Sequence, residues 1–268
     1  LLGKMIAIMR TKEEIVKNWL PRYTGVAIEE IGDYILLTNF NQYVEIFAGM
    51  YNVEIKGEDK SMPIATHDNI SMINFGMGSA NAATIMDLLS ARNPKAVLFL
   101  GKCGGLKHIS KVGDLILPIA AIRGEGTSND YFPPEVPALP AFSLQRAVSS
   151  TIRNTQRDYW TGTIFTTNRR VWEYDKEFKE YLLKIRALAI DMETATLFSV
   201  GFYNHIPTGA LLLVSDEPMI SDGVKTEKSD KFVSENFVED NVSIGIDALK
   251  QLRDNGRSVK HLLFEDNQ

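Results

Sequence analysis

Two carboxylates in this chain stand at the ends of apolar runs. Residues 190–196 read Ile-Asp-Met-Glu-Thr-Ala-Thr, and further on comes Val214-Ser215-Asp216. Ala210-Leu211-Leu212-Leu213-Val214 has no polar alternation, which predicts a strand buried on both faces. An acid ending such a strand must be hydrogen-bonded, paired or functional. In open parallel sheets, ligands gather outside the carboxyl ends of the strands. Asp216 is therefore a candidate acid, with a structural Asp capping the next turn as an equal alternative. Glu193 is the second candidate.

Four glycine- or cation-rich stretches surround this pair in the sequence. Phe75-Gly76-Met77-Gly78-Ser79 follows a predicted strand and opens a helix, so its backbone amides could approach an anion or a hydroxyl. It lacks the third glycine and the downstream acid of a dinucleotide fingerprint, and a simple tight turn fits equally. Leu100-Gly101-Lys102-Cys103-Gly104-Gly105 places three glycines around a lysine, which reads as room for a ligand beside a positive charge. Cys103 has no histidine base nearby except His108 and reads as an inert, buried thiol. Arg123-Gly124-Glu125-Gly126-Thr127-Ser128 could hold phosphate through Arg123, Thr127 and Ser128, or form an Arg–Glu clasp at a subunit contact. Thr166-Thr167-Asn168-Arg169-Arg170-Val171-Trp172-Glu173 combines hydroxyls, two guanidiniums and an indole. That set suits a flat heterocycle and a phosphate, and also a solvated loop with Trp172 packed as a lid.

The bulk properties set limits. The chain has 268 residues, 44% hydrophobic and 24% charged, within the range of a soluble globular protein. A net charge of −5 offers no basic field for nucleic acid. No apolar run approaches the ~20 residues of a membrane helix, so no membrane partner is expected. A single cysteine excludes an intramolecular disulfide framework and suggests a reducing, cytoplasmic compartment. His67, His108, His205 and His261 show no metal spacing, so neither a metal nor another cofactor is expected.

Apolar runs at Tyr34–Thr38, Ile70–Phe75, Ala96–Leu100, Asp114–Ala121, Gly162–Thr166, Leu188–Met192 and Gly209–Ser215 predict seven strands. Helices are expected between them, clearest over Ser79–Arg92 and from about Ser229 to Asn255, with Gly256 as the stop. The alternation predicts one doubly wound α/β domain. The Pro-rich stretch Pro133–Pro140 reads as an exposed loop inside it.

Taken together, Leu37-Thr38-Asn39-Phe40, Gly101 to Leu106, Thr166-Thr167, Trp172-Glu173, Ile190 to Thr196 and Val214-Ser215-Asp216-Glu217-Pro218 resemble the purine nucleoside phosphorylase and uridine phosphorylase family. Within it the chain resembles the catalytic domain of the AMP nucleosidases, from Arg22-Tyr23-Thr24-Gly25 to about Arg253. The resemblance implies a single-domain, nucleoside phosphorylase-like three-layer α/β fold with a mixed central sheet over 22–256. An amino-terminal extension or helix over 1–21 and a tail over 257–268 would flank it. It implies a homo-oligomer, with a hexamer of dimers usual in the family, and cleavage of a ribosyl N-glycosidic bond. Met192 and Glu193 match the pair that holds the ribose hydroxyls. Asp216 matches the acid kept by purine-cleaving relatives, which protonates N7 of the leaving base. Thr166, Thr167 and Trp172 would frame the base. Some relatives carry a further amino-terminal regulatory domain, which the short segment ahead of Arg22 is not expected to contain.

Two departures from the family pattern bear on the reaction. The loop after the first strand, Thr38-Asn39-Phe40-Asn41-Gln42-Tyr43, lacks the arginine with which phosphorylases grip inorganic phosphate. The stretch Leu98-Phe99-Leu100 is apolar where a second phosphate arginine is usual. Both losses favour water as nucleophile, although Lys102 could restore part of the charge. The expected substrate is AMP, with Arg123, Arg169, Arg170 and Lys102 as candidates for its 5′-phosphate and Asn39 for orienting water. A purine nucleoside phosphorylase, a methylthioadenosine-type nucleosidase and a non-catalytic nucleotide-binding protein are the alternatives.

Overall fold

The computed structural model describes residues 10–255. The expected tail, the Gly256 stop and the first nine residues lie outside them. In chain order the elements are α1 (Lys12–Thr24), β1 (Tyr34–Thr38), α2 (Asn41–Tyr51), β2 (Ile64–His67), β3 (Ile70–Asn74), α3 (Ser79–Leu89), β4 (Ala96–Gly105), β5 (Leu115–Gly124), α4 (Phe142–Asn154), β6 (Trp160–Thr167), α5 (Lys176–Lys184), β7 (Ala189–Asp191), α6 (Thr194–Tyr203), β8 (Thr208–Asp216) and α7 (Glu227–Asn255).

The strands form one mixed sheet in the order β2-β3-β1-β4-β7-β6-β5-β8, and β8 also pairs with β4. The β1–β3, β1–β4, β4–β8, β5–β6 and β6–β7 pairs are parallel, and β2–β3, β4–β7 and β5–β8 are antiparallel. The period-two alternation of buried strands decides the layering. Ile35 and Leu37 of β1, Val97 and Phe99 of β4, and Ala210, Leu212 and Val214 of β8 pack with residues of α1, α3 and α6. Their neighbours Leu36, Leu98, Leu211 and Leu213 pack with α2, α4 and α7 on the other face. Three layers result, and the fold class matches the expectation.

Two details differ. The short strand β2 was not expected; it pairs with β3 through a two-residue turn, Asp68-Asn69, with φ of 47° and 64°. Asp and Asn tolerate that left-handed geometry, which suits a tight hairpin. The second difference concerns Gly101–Gly105, expected to be a turn with room for a ligand. It continues β4 as a fully buried strand. A Cβ on Gly101 would lie 2.3 Å from the Phe99 ring, and one on Gly104 would lie 2.9 Å from the Pro218 side chain. These glycines permit close packing of the strand, and its Lys102, Cys103 and Gly104 still border a cavity.

Candidate active site

The carboxyl ends of six strands converge on one cavity of about 110 Å³, open to solvent. Its wall contains Asn39 after β1, Met77 after β3, Lys102 to Gly104 of β4, Thr167 of β6, Asp191 of β7 with Met192 and Glu193 after it, and Ser215-Asp216 of β8. Arg169, Arg170, Trp172 and Glu173 come from the β6–α5 loop, and Phe40 and Lys225 complete the lining.

Glu193 is buried, and the chain builds a cradle for it. Strand β7 has only three residues and wedges between β4 and β6. Asp191, at its end, accepts hydrogen bonds from the Thr166 hydroxyl at 2.7 Å and the Thr194 amide at 2.8 Å. Those bonds start α6 and fix the turn that carries Glu193. Its carboxylate then accepts the Gly78 N–H at 2.7 Å and the Met192 N–H at 3.2 Å. Gly78 has φ 93°, a conformation that favours glycine. The anion met by this glycine turn is thus the protein's own Glu193. Burial and the neighbouring Asp191 charge push the Glu193 carboxyl up to about 7, while these amides and the Asn39 side chain favour the charged form. Burial likewise raises the pKa of Asp191.

Asp216 lies opposite Gly104 at the end of β8, beyond an irregularity in register between Cys103 and Gly104. It is partly buried. Burial raises its pKa, opposed by the Ser215 hydroxyl, which donates to its Oδ1 at 2.6 Å, and by Lys225 and Arg170. Protonated carboxyl groups are favoured in such surroundings. The cavity therefore holds two candidate carboxyls, Glu193 and Asp216, each held above its ordinary pKa by burial. One is anchored by backbone amides and the other is backed by a hydroxyl.

Asn39 also lines the wall, and its Oδ1 is buried without a hydrogen-bond partner. Met192 reaches the cavity, and its carbonyl accepts the Ser79 hydroxyl at 2.7 Å. Trp172 is buried against Phe178, edge to face at 5.5 Å, and Thr167 accepts the Arg169 N–H at 3.0 Å. Cys103 is buried, and burial raises its thiol pKa well above the ordinary value, as an inert thiol requires.

Two expected site residues stand elsewhere. Thr166 is behind the wall, where its hydroxyl donates to Asp191 and accepts the Ala195 N–H at 2.9 Å. It supports the Glu193 turn and offers no side-chain contact to a base. Arg123 is not among the lining residues. Its guanidinium donates to Ser128 Oγ, Asn129 Oδ1 and the carbonyls of Phe132, Pro133 and Val136. All five of its donors are engaged, so none remains for a phosphate. Of the other three candidate cations, Arg169 pairs with Asp175 at 2.6 Å, Arg170 faces Glu173 at 3.5 Å, and Lys102 is buried beside Asp230 at 3.0 Å. Lys225 was missed because nothing local distinguishes a lone lysine in a loop. The roles of Asp191 and Asp230 were missed because their partners are distant in sequence.

Residues 33–250 match the phosphorylase superfamily, and the chain belongs to it. It is 28% identical to the AMP nucleosidase of Escherichia coli (strain K12), across 88% of this chain and 58% of that protein. The chain thus spans 58% of the length of that relative. A crystal structure of AMP nucleosidase from Bacteroides thetaiotaomicron VPI-5482 is 59% identical, with a TM-score of 0.83, covering 92% of this chain and all of that one. A uridine phosphorylase from Vibrio fischeri ES114 shares the fold at 21% identity and a TM-score of 0.73, over 84% of this chain and 95% of that one.

Proposed function

We propose that this member of the phosphorylase superfamily hydrolyses AMP to adenine and ribose 5-phosphate. The observation that carries the reading is the presence of Glu193 and Asp216 in one cavity, each with a raised pKa and a different set of partners. The 59% identity to a structure named as an AMP nucleosidase supports the same substrate.

Glycoside cleavage passes through an oxocarbenium-like state. In the proposed reaction, protonated Asp216 donates its proton to N7 of adenine. The C1′–N9 bond breaks, and its electron pair leaves with the base. Glu193 in its ionised form accepts the ribose hydroxyls and stabilises the positive charge developing on the sugar. Occupied by substrate, it is ionised more readily than in the empty cavity, because those hydroxyls donate to the charged form. Water adds to C1′, with Asn39 orienting it through the unpartnered Oδ1, and its released proton restores Asp216. Trp172, Thr167 and the adjoining backbone frame the base, while Met192 packs beside the ribose.

Water is the preferred nucleophile because Leu98, Phe99 and Leu100 are fully buried and Asn39 stands in the loop after β1, so neither stretch supplies a cation for inorganic phosphate. A cytoplasmic homo-oligomer is part of the same proposal. The aromatic cluster of Phe132, Phe202 and Tyr203 supports the oligomer, since Phe202 and Tyr203 are exposed.

The direct test is adenine release from AMP in phosphate-free buffer, with adenosine plus phosphate as control. Adenine and ribose 5-phosphate from AMP alone are expected. Activity confined to adenosine plus phosphate would mean a phosphorylase and would overturn the proposal.

A further inference from the structure

Among the described residues four cations line the cavity, Lys102, Arg169, Arg170 and Lys225, and they are not equivalent. Arg169 and Arg170 each face a carboxylate of their own loop, Asp175 and Glu173. Lys102 and Lys225 share a single one. Both ammoniums donate to Oδ1 of Asp230, at 3.0 and 2.9 Å. Two positive charges therefore meet one negative charge at this point of the wall.

Sequence and local structure explain how the cluster is built. Thr226 caps α7: its hydroxyl accepts the Ser229 N–H at 3.1 Å, and the Ser229 hydroxyl accepts the Thr226 N–H at 2.8 Å. The cap fixes the chain direction just after Lys225. Asp230 and Ser234 then stand four residues apart, on one face of the helix. Both meet Lys102, whose Nζ also donates to Ser234 Oγ at 2.8 Å. The Phe40 ring lies 4.7 Å from the Lys102 nitrogen and 5.8 Å from that of Lys225. An ammonium has three donors. The contacts to Asp230 and Ser234 occupy two on Lys102, and the contact to Asp230 occupies one on Lys225. Because the two nitrogens share one carboxylate oxygen, a single tetrahedral anion can reach both.

We infer that Lys102 and Lys225, held side by side by Asp230, form the seat for the phosphoryl group of the substrate and select a nucleotide over its nucleoside. Asp230 is a positioning residue here. It screens the repulsion between the ammoniums while leaving a net positive charge for the incoming dianion. The need for such a seat is electrostatic, because Glu193, ionised in the substrate complex, lines the same cavity and would repel a phosphate that met no cation. The inference rests on the reading that the substrate carries a 5′-phosphate.

The test compares wild type with Lys225→Met, Lys225→Arg and Asp230→Asn. It measures KM and kcat on AMP, and calorimetric binding of ribose 5-phosphate and of adenine. Lys225→Met should raise KM for AMP and weaken ribose 5-phosphate binding together, by about ten- to a hundredfold. Adenine binding should stay unchanged, and Lys225→Arg should recover part of the loss. Asp230→Asn should raise the same two constants with kcat unchanged, a split that a merely structural role would not produce. Unaltered ribose 5-phosphate binding in Lys225→Met, or an equal loss of adenine binding, overturns the seat. So does acceleration of base release by inorganic phosphate in wild type but not in Lys225→Met, since the seat would then hold a nucleophile. Wild type that binds ribose 5-phosphate through Lys225 but releases no adenine from AMP would overturn the functional reading and leave the seat standing.

Discussion

The backbone N–H of Gly78 points at Oε1 of Glu193 from 2.7 Å, joining the turn after β3 to the turn after β7. One carboxylate thereby ties two loops of the cavity together. Its position depends on a backbone conformation that only glycine adopts without strain. The Gly78 dihedrals, φ 93° and ψ 161°, lie in a region nearly closed to other residues.

Gly78→Ala tests that dependence. A Cβ at this position meets no atom within 4 Å, so the cost is conformational and not a clash. The expected loss is about 1–3 kcal/mol of stability. Because the amide aims Glu193, kcat should fall further than KM rises. Thermal denaturation and steady-state kinetics read both effects. An unchanged melting temperature would show that the turn tolerates the substitution.

Glu193 also makes stability depend on pH. Its carboxyl is raised from 4.5 to about 7 by burial and by Asp191. A group raised in this way contributes stability below its unfolded pKa, and that contribution is lost as pH rises through the folded value. Between pH 4.5 and about 7, ionisation should cost the native state up to about 3 kcal/mol. Glu193→Gln cannot ionise. Its melting temperature relative to wild type should therefore climb across that window and level off above it. A constant difference from pH 5 to 8 would mean that Glu193 titrates at its ordinary value.

Asp216→Asn addresses the proton donor. If Asp216 protonates the leaving base, kcat should fall by about 10²–10⁴-fold. The pH profile adds the sign. Burial raises the pKa of Asp216, and its protonated form is the active one, so wild-type activity should decline as pH rises through that raised value. The residual activity of Asp216→Asn should lack this alkaline limb. A variant within about tenfold of wild type, with the limb intact, would remove Asp216 from the mechanism.

How much of this was legible in the sequence follows from which forces act locally. The unbroken apolar run before Asp216 announces itself, because burial on both faces leaves no polar alternation. The layering followed from the same rule. Other features depend on pairings made only in three dimensions. Gly101 to Gly105 looked like a turn because glycine usually marks one; the Phe99 ring and Pro218, which require glycine there, are visible only after folding. Lys102 was a plausible phosphate ligand, but its partner Asp230 lies 128 residues away. The Asp68-Asn69 hairpin is the one missed element with a local signal, two turn-forming residues between short apolar segments.

Arg123 is the residue whose role changed most, and it gives the last prediction. A guanidinium in a glycine-rich loop, close to two hydroxyls, suggested phosphate. In the structure it serves the loop that follows β5: three of its donors meet the carbonyls of Phe132, Pro133 and Val136, and two meet Ser128 and Asn129. Truncating the side chain removes all five hydrogen bonds, each worth a net contribution of about 0.5–1.5 kcal/mol. Arg123→Ala should therefore lower the melting temperature clearly. Lysine keeps the charge but not the planar fork of five donors, so Arg123→Lys should recover little of the loss. In either variant the folded enzyme should keep KM for AMP within about twofold of wild type, because uniform substrate binding is untouched. A large rise in KM at unchanged stability would return Arg123 to the phosphate site and would require the loop to open when the nucleotide binds.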